Sequence, residues 1–275
     1  MTWIHSETAR GIRVSRYVEE QSRPWIVFVH GVGTQGSAWW PWAGALVSRF
    51  NLAAFDMPGY GGSPLVDPVP RDLTNLRSYI EEVQDHLGVG TSILVGESLG
   101  GTACLSFAIE CSSRVRGLVL CSTGFRGALI TEIGAWPTVL AESGIAGWSK
   151  YMIKCRFTDR DPLKIKDQVE KAQLLCDPEV LLADGDMLRM LDLRDALVDV
   201  KVPTLLLEPG SSPFIDREHA TQLEDGLSDA ELILFGASRH GVAFAYADEC
   251  SYLTGRFLQR RGLDGSSSTP PGTAL

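Results

Sequence analysis

The sequence predicts an α/β protein, a mostly parallel, doubly wound sheet that is interrupted by an inserted block of helices. Two observations carry this prediction. Apolar runs without strict alternation recur along the chain, as at 24–29 and 92–95, and strands buried on both faces have this pattern. Helical patterns lie between these runs, and such alternation is typical of a parallel sheet covered on both sides.

The predicted secondary structure begins with early strands in 11–19, where apolar residues alternate loosely. Continuous apolar runs then indicate strands, and patterns with apolar residues on one face indicate helices. The predicted strands are 24–29, 51–55, 92–95, 116–121, 202–207 and 230–235. The predicted helices of the sheet region are 38–50, 73–87, 102–109, 217–227 and a last helix that ends at Arg261.

Between the strands 116–121 and 202–207 the alternation of strands and helices stops. Helical patterns at 129–143, 145–156, 163–175 and 178–191 follow one another without a strong strand signal. We therefore expect a sheet core formed by 1–124 and 200–261, with 125–199 inserted as a helical cap. The remaining stretch, 262–275, is rich in Gly, Ser, Thr and Pro and is expected to be disordered.

Composition narrows the class of protein further. The chain has 275 residues, of which 44% are hydrophobic and 21% charged, so one large core with an insertion is favoured. A formal net charge of -9 disfavours a nucleic-acid partner, since phosphate binding needs a basic face. The 6 cysteines form no C-x-x-C pair, and the sequence contains neither a signal-peptide pattern nor a membrane-length apolar run. We expect a soluble cytoplasmic protein without a membrane partner.

The stretch around Ser98 is the strongest local candidate for chemistry. It reads Gly96-Glu97-Ser98-Leu99-Gly100, a G-x-S-x-G pattern between a predicted strand and a predicted helix. Glycines two residues before and after the serine allow strand and helix to pass close together, which holds the hydroxyl clear of the sheet. The following helix N-terminus favours negative charge there. An ordinary Gly/Ser turn can have the same sequence, so motifs elsewhere in the chain are needed to distinguish it from a catalytic turn.

Four motifs in a fixed order supply that context. They are His30-Gly31, the D-x-P-G-x-G-x-S string at 56–63, the serine turn, and His240-Gly241 before the last helix. Over about 10–261 the chain resembles the α/β-hydrolases that carry a serine nucleophile and a helical cap. The resemblance implies that Ser98 is the nucleophile and His240 its base. It also places the oxyanion-hole donors at the backbone N–H groups of Leu99 and Val32.

The resemblance assigns supporting roles to other polar residues. His30 is expected to be structural, Asp56 to organise its turn, and Glu97 to belong to a buried polar network. A serine at the turn argues against the haloalkane dehalogenases and epoxide hydrolases of the family, which carry aspartate there. No cofactor and no metal are expected.

One position departs from the family pattern. In the segment 203–216, Ser212 stands where the family usually has the aspartate that supports the histidine. The alternative location, the loop 122–126, also lacks a carboxylate. A Ser–His dyad or an acid from elsewhere would be needed. Among three carboxylates, Glu132 is expected in the first cap helix and Asp216 as a helix cap, so Glu208 is predicted to partner His240.

These residues predict a serine hydrolase that cleaves a carboxylic ester or lactone through an acyl-enzyme on Ser98. Cleavage of a carbon–carbon bond in a diketone needs the same residues. A non-hydrolytic member of the family, either a biosynthetic cyclase or a binding protein, is the alternative that Ser212 favours. The partner is expected to be a small apolar molecule. Candidate pocket walls in the cap are Trp136, Trp148, Met152 and Phe157.

Overall fold

The computed structural model describes residues 2–69 and 71–265. An eight-stranded sheet forms the centre of the described chain. Its strands are β1 (Ile4–Glu7), β2 (Arg13–Tyr17), β3 (Trp25–Val29), β4 (Asn51–Phe55), β5 (Ser92–Glu97), β6 (Val115–Cys121), β7 (Thr204–Pro209) and β8 (Ala230–Phe235). Strand β1 was not predicted, because most of its residues are exposed and give no apolar signal.

The strand order is β1-β2-β4-β3-β5-β6-β7-β8. The pairs β1–β2 and β2–β4 are antiparallel, and every pairing from β4 through to β8 is parallel. The prediction of a mostly parallel sheet is confirmed. Strands β3, β4 and β5 are almost entirely buried, since helices cover both faces, and each face has its own apolar cluster.

Helices of the sheet region lie largely where the sequence predicts them. They are α1 (Ala43–Leu46), α2 (Leu73–His86), α3 (Leu99–Glu110), α7 (Arg217–Gly226), α8 (Val242–Ala245) and α9 (Ala247–Arg260). The predicted helix 38–50 is wrong in kind, because Gly36–Trp42 forms a 3-10 helix and only α1 is α-helical. Pro41 lies inside the 3-10 stretch, where its missing N–H and its ring disfavour an α-helix.

The segment between β6 and β7 is helical. It contains α4 (Trp136–Arg156), α5 (Leu163–Gln173) and α6 (Pro178–Met190). Gly144 interrupts α4 with a φ of 61°, at the predicted break between two cap helices. The first cap helix begins at Trp136 and not at 129, because short 3-10 turns at Gly127–Leu129 and Ile133–Ala135 precede it. The exact boundaries of core and cap stay a prediction.

The end of the described chain packs on the core. Leu263 donates its backbone N–H to Leu258, and the buried Asp264 pairs with Arg49 at 3.4 Å. Residues 262–265 therefore do not behave as the predicted disordered tail, and 266–275 lie outside the described residues. None of the helices in the described ranges is long and apolar enough to cross a membrane.

Candidate active site

Ser98 occupies the sharp turn between β5 and α3. Its backbone has φ 55° and ψ −119°, a conformation that non-glycine residues rarely adopt. A Cβ at Gly96 would lie 2.5 Å from the carbonyl oxygen of Gly100, and a Cβ at Gly100 would collide with the backbone of β3. Both glycines are therefore required by close packing, and the predicted strand–turn–helix around Ser98 is present.

His240 lies on the loop between β8 and α8. Its Nε2 is 3.0 Å from the Oγ of Ser98. The Ser122 hydroxyl donates to the His240 carbonyl at 2.7 Å, and the His240 N–H donates to the Cys155 carbonyl at 3.3 Å, so the backbone is held from both sides. Burial, together with the nearby charges of Arg156 and His219, lowers the pKa of His240 well below its usual value. The imidazole is therefore neutral at pH 7.

Ser212 contacts the other ring nitrogen of this histidine. Its Oγ lies 3.2 Å from His240 Nδ1. The same oxygen accepts the backbone N–H groups of Phe214 at 3.1 Å and Ile215 at 3.3 Å. A neutral hydroxyl thus takes the place that the family resemblance assigns to a carboxylate.

Glu208 does not contact His240. Its Oε1 accepts the Thr123 N–H at 3.1 Å, and its Oε2 has no hydrogen-bond partner among the described residues. The predicted hydrogen bond to His240 is wrong, because the carboxyl instead binds the backbone of the loop that follows β6. Burial raises the pKa of Glu208 well above its usual value, which favours the uncharged acid.

The two other carboxylates considered lie away from the ring. Asp216 caps α7, as predicted, by accepting the His219 N–H at 2.8 Å. Glu132 precedes the first cap helix instead of lying within it, and its carboxylate accepts a hydrogen bond from the Tyr151 hydroxyl. Neither residue hydrogen-bonds His240.

The predicted oxyanion donors lie beside Ser98. Leu99 is the first residue of α3, so its N–H is one of those that a helix leaves without an internal partner. Val32 belongs to the loop after β3 and lines the same cavity as Ser98. Two further family residues hold this region in place. His30 Nε2 accepts the Met57 N–H at 2.8 Å, and Asp56 accepts the Gly36 N–H at 2.7 Å, which fits the structural roles predicted for both.

Arg156 is the site residue that sequence reasoning missed. It is the last residue of α4 and is 1% exposed. Its Nη1 donates to Glu97 Oε1 at 2.7 Å, and its Nη2 donates to the Val32 carbonyl at 2.7 Å. Glu97 was predicted to lie in a buried polar network, and it does. Burial raises the pKa of Glu97, while Arg156 acts in the opposite direction.

A small cavity opens above Ser98, with a volume of about 20 Å³. Its walls combine apolar side chains from the helical segment and from the loop after β7 with the polar groups described above. The lining residues are Val32, Ser98, Ser122, Gly124, Ile130, Ile133, Trp136, Met152, Arg156, Leu188, Phe214, Ile215 and His240. Of the predicted walls, Trp136 and Met152 line it. Trp148 instead packs against Trp136, and Phe157 lies next to Gly241.

Comparison with known proteins identifies the family. The model of the alpha/beta hydrolase family matches residues 26–251, which is most of the chain. The chain belongs to the α/β-hydrolase family. The enol-lactonase from Burkholderia xenovorans LB400 has the same fold, with a TM-score of 0.82 and 21% identity over 93% of this chain and 100% of that one.

Relatives of this α/β-hydrolase are hydrolytic enzymes. It is 30% identical, over 66% of its length and 73% of the relative, to a pimeloyl-[acyl-carrier protein] methyl ester esterase of Pseudoalteromonas atlantica. It is 26% identical, over 85% of its length and 87% of the relative, to a 2-hydroxy-6-oxo-6-phenylhexa-2,4-dienoate hydrolase of Burkholderia cepacia. The chain is thus a hydrolase of this family.

The chemistry available to this α/β-hydrolase follows from the geometry. A hydroxyl and a neutral imidazole lie 3.0 Å apart at a mostly apolar cavity, and the N–H groups of Leu99 and Val32 stay the predicted oxyanion donors. Such a set can form and break an acyl bond. The position of Arg156 had no sequence signal, because Lys150, Lys154 and Arg156 lie on one helix and only packing selects the last.

Proposed function

We propose that this α/β-hydrolase cleaves carboxylic esters or lactones through an acyl-enzyme on Ser98, with His240 as the base. The observation that carries the proposal is the 3.0 Å contact between Ser98 Oγ and His240 Nε2 at the end of a mostly apolar cavity. The low pKa of His240 supports it, because a base has to be uncharged at neutral pH.

The proposed reaction has two steps. In the first, Ser98 Oγ bonds to the substrate carbonyl carbon, its proton passes to His240 Nε2, and the N–H groups of Leu99 and Val32 hold the oxyanion. His240 then returns the proton to the leaving alkoxide. In the second step, His240 takes a proton from water, which attacks the acyl-enzyme carbonyl carbon. The bond to Ser98 Oγ then breaks, His240 returns the proton to that oxygen, and the acid is released.

The cavity supports a small and largely apolar substrate. Its volume of about 20 Å³ is small against the roughly 300–1,000 Å³ of typical ligand sites. The apolar walls Ile133, Trp136 and Met152 favour a short or compact acyl chain over a charged one. Esters with short acyl groups and small lactones are therefore the first substrates to test. The cytoplasm stays the predicted location.

A fluorophosphonate probe tests the nucleophile directly. The wild type is expected to become labelled, and Ser98→Ala is expected to lose the label while keeping its fold. Ester turnover by Ser98→Ala should fall by about a thousandfold or more, because loss of a nucleophile removes the covalent route. A variant that keeps more than about a tenth of wild-type kcat would exclude Ser98 as the nucleophile. No labelling of the folded wild type would favour a binding protein or cyclase.

Carbon–carbon bond hydrolysis is the second candidate. It is supported by the similarity to the dienoate hydrolase of Burkholderia cepacia, which extends over 85% of this chain. A panel that pairs activated esters and lactones with vinylogous diketones, compared by kcat/KM, separates the two reactions. A higher kcat/KM for a diketone would replace the ester proposal while leaving the roles of Ser98 and His240 intact.

A further inference from the structure

The hydrogen bonds around Ser212 determine which nitrogen of His240 carries the proton. Ser212 Oγ makes three contacts, to the N–H of Phe214 at 3.1 Å, to the N–H of Ile215 at 3.3 Å and to His240 Nδ1 at 3.2 Å. The two backbone groups are donors only, so both bonds end on lone pairs of the serine oxygen.

A serine hydroxyl has two lone pairs and one hydrogen. The Phe214 and Ile215 N–H groups occupy both lone pairs. The remaining group is the O–H, and the remaining neighbour is His240 Nδ1. Ser212 therefore donates its hydrogen to Nδ1, which must present a lone pair to receive it.

The Ser212 hydrogen bond also determines the protonation of Nε2, on the other side of the His240 ring. A neutral imidazole has one protonated nitrogen, so a lone pair on Nδ1 places the hydrogen on Nε2. Nε2 is the atom that faces Ser98 Oγ at 3.0 Å. In this tautomer the ring donates to Ser98 and has no lone pair with which to take its proton.

We propose that Ser212 is a positioning residue that holds His240 in the Nε2–H tautomer and thereby keeps Ser98 unactivated at rest. This inference rests on the proposed roles of Ser98 and His240. Before each turnover, the hydrogen on Nε2 must leave and one must be gained at Nδ1, with no net change in protons. Ser212 must turn its O–H away and release one backbone N–H, so that its oxygen accepts from Nδ1–H.

Within 2–69 and 71–265, the surroundings of the ring supply no substitute for the missing carboxylate. The charged or titratable groups that act on it are Arg156 of α4 and His219 of α7, and both disfavour a positive ring. Phe214 packs on it with ring centroids 4.7 Å apart, and Ser122 binds only its backbone carbonyl. A serine protease whose carboxylate is replaced by a donating amide holds the same wrong tautomer and loses about 10⁴-fold in kcat.

Nitrogen NMR of the wild type, labelled with ¹⁵N-histidine, tests the tautomer without any substrate. The chain has 5 histidines, and the spectrum of His240→Gln identifies the signals of His240. We expect a protonated Nε2 and an unprotonated Nδ1. A protonated Nδ1 in the neutral wild-type ring would overturn the inference.

Ser212→Asp tests the consequence for catalysis. A carboxylate has lone pairs for both backbone N–H groups and for Nδ1–H, so it moves the hydrogen to Nδ1 and frees Nε2. We expect kcat to rise by at least about tenfold and Nδ1 to become protonated in the NMR spectrum. Ser211→Asp is the matched control, since Ser211 is the exposed neighbour and contacts Gly236 instead of the ring. It should leave kcat and the tautomer unchanged.

The possible results separate cleanly. An equal rise in both aspartate variants, or an unchanged kcat in a Ser212→Asp protein whose Nδ1 is protonated, would refute a tautomer block. If Ser212→Asp does not fold, the wild-type NMR spectrum decides alone. If the wild type shows Nε2–H, but neither it nor Ser212→Asp reacts with a fluorophosphonate, the proposed hydrolase function fails and the tautomer assignment stands.

Discussion

Two buried ion pairs join the sheet region to the helical segment. In the pair Arg71–Asp184 the sheet region supplies the positive charge, and in the pair Glu97–Arg156 it supplies the negative charge. In the first pair the arginine belongs to the loop before α2 and the aspartate to α6. In the second the carboxylate ends β5 and the arginine ends α4. Both pairs are nearly inaccessible to solvent.

The first pair has its hydrogen bonds complete. Arg71 Nη2 and Nε donate to the Asp184 carboxylate at 2.5 and 3.2 Å, and the Tyr60 hydroxyl donates to it at 2.7 Å. The remaining guanidinium nitrogen donates to the Pro58 carbonyl. Such a closed network resists rearrangement, because every alternative leaves a buried charge without a partner.

The second pair is incomplete. Arg156 Nε is buried and has no hydrogen-bond partner among the described residues. Arg156 lines the cavity and donates to the carbonyl of Val32, in the loop that carries a predicted oxyanion donor. We infer that the complete pair attaches the helical segment, whereas the incomplete pair positions the catalytic loop. The predictions that follow test this difference.

Breaking the complete pair should have the largest effect, and it should be on stability. Asp184→Asn leaves the Arg71 charge buried and unpaired, so the free energy of unfolding should fall by about 3–5 kcal/mol. Denaturant unfolding measures it. The kcat of the folded protein on an activated ester should not change. The double variant Arg71→Met, Asp184→Leu should recover most of the loss, since apolar partners need no counter-charge. A tenfold fall in kcat would remove the distinction between the pairs.

Breaking the incomplete pair should act on catalysis. Arg156→Met removes the donor to the Val32 carbonyl, and we expect kcat to fall by about 10²–10³-fold, the size seen when an oxyanion donor is lost. KM for a small ester should change little, because the arginine acts through the loop. Arg156→Lys keeps the charge but cannot make both hydrogen bonds, so its kcat should lie between those of the wild type and Arg156→Met. A stable Arg156→Met enzyme with wild-type kcat would contradict the positioning role.

The same contrast shows what the sequence could predict. Ser98 was predicted from the glycines that its turn requires and His240 from its place in the motif order that resembles the α/β-hydrolases, and the two side chains lie 3.0 Å apart. Asp216 was found because an aspartate directly before a helix caps it. Arg156 and Asp184 could not be found, since each is one of several charged residues on its helix and only tertiary packing buries it.

Glu208 shows a subtler limit. Its place at the end of a strand was predicted correctly, but its hydrogen-bond partner is the Thr123 N–H of the loop after β6, which is distant in sequence. Sequence could therefore place Glu208 at the correct edge of the sheet but not beside the ring, where Ser212 lies.

Glu208→Gln should have a smaller effect, visible as a change in pH dependence. A group whose pKa is raised by folding stabilises the protein fully below its unfolded pKa, near 4.5, and loses that contribution as pH rises. Gln keeps the oxygen that accepts from Thr123 and cannot ionise. We expect the variant to be more stable than the wild type at pH 8 and no more stable at pH 4, by thermal unfolding. Its kcat should be unchanged, and a fall of orders of magnitude would return Glu208 to the catalytic centre.

The smallest expected effect is a shift in the acid limb of activity, and it separates the charge of Arg156 from its hydrogen bonds. Burial and then Arg156 hold the pKa of His240 well below 6.5. Because the base must be neutral, the acid limb of kcat/KM follows this pKa in the free enzyme. Arg156→Met removes the charge, so its limb should move up toward 6.5, whereas Arg156→Lys should keep the wild-type limb. Identical limbs in all three proteins would mean that Arg156 positions the Val32 loop without acting on the charge of His240.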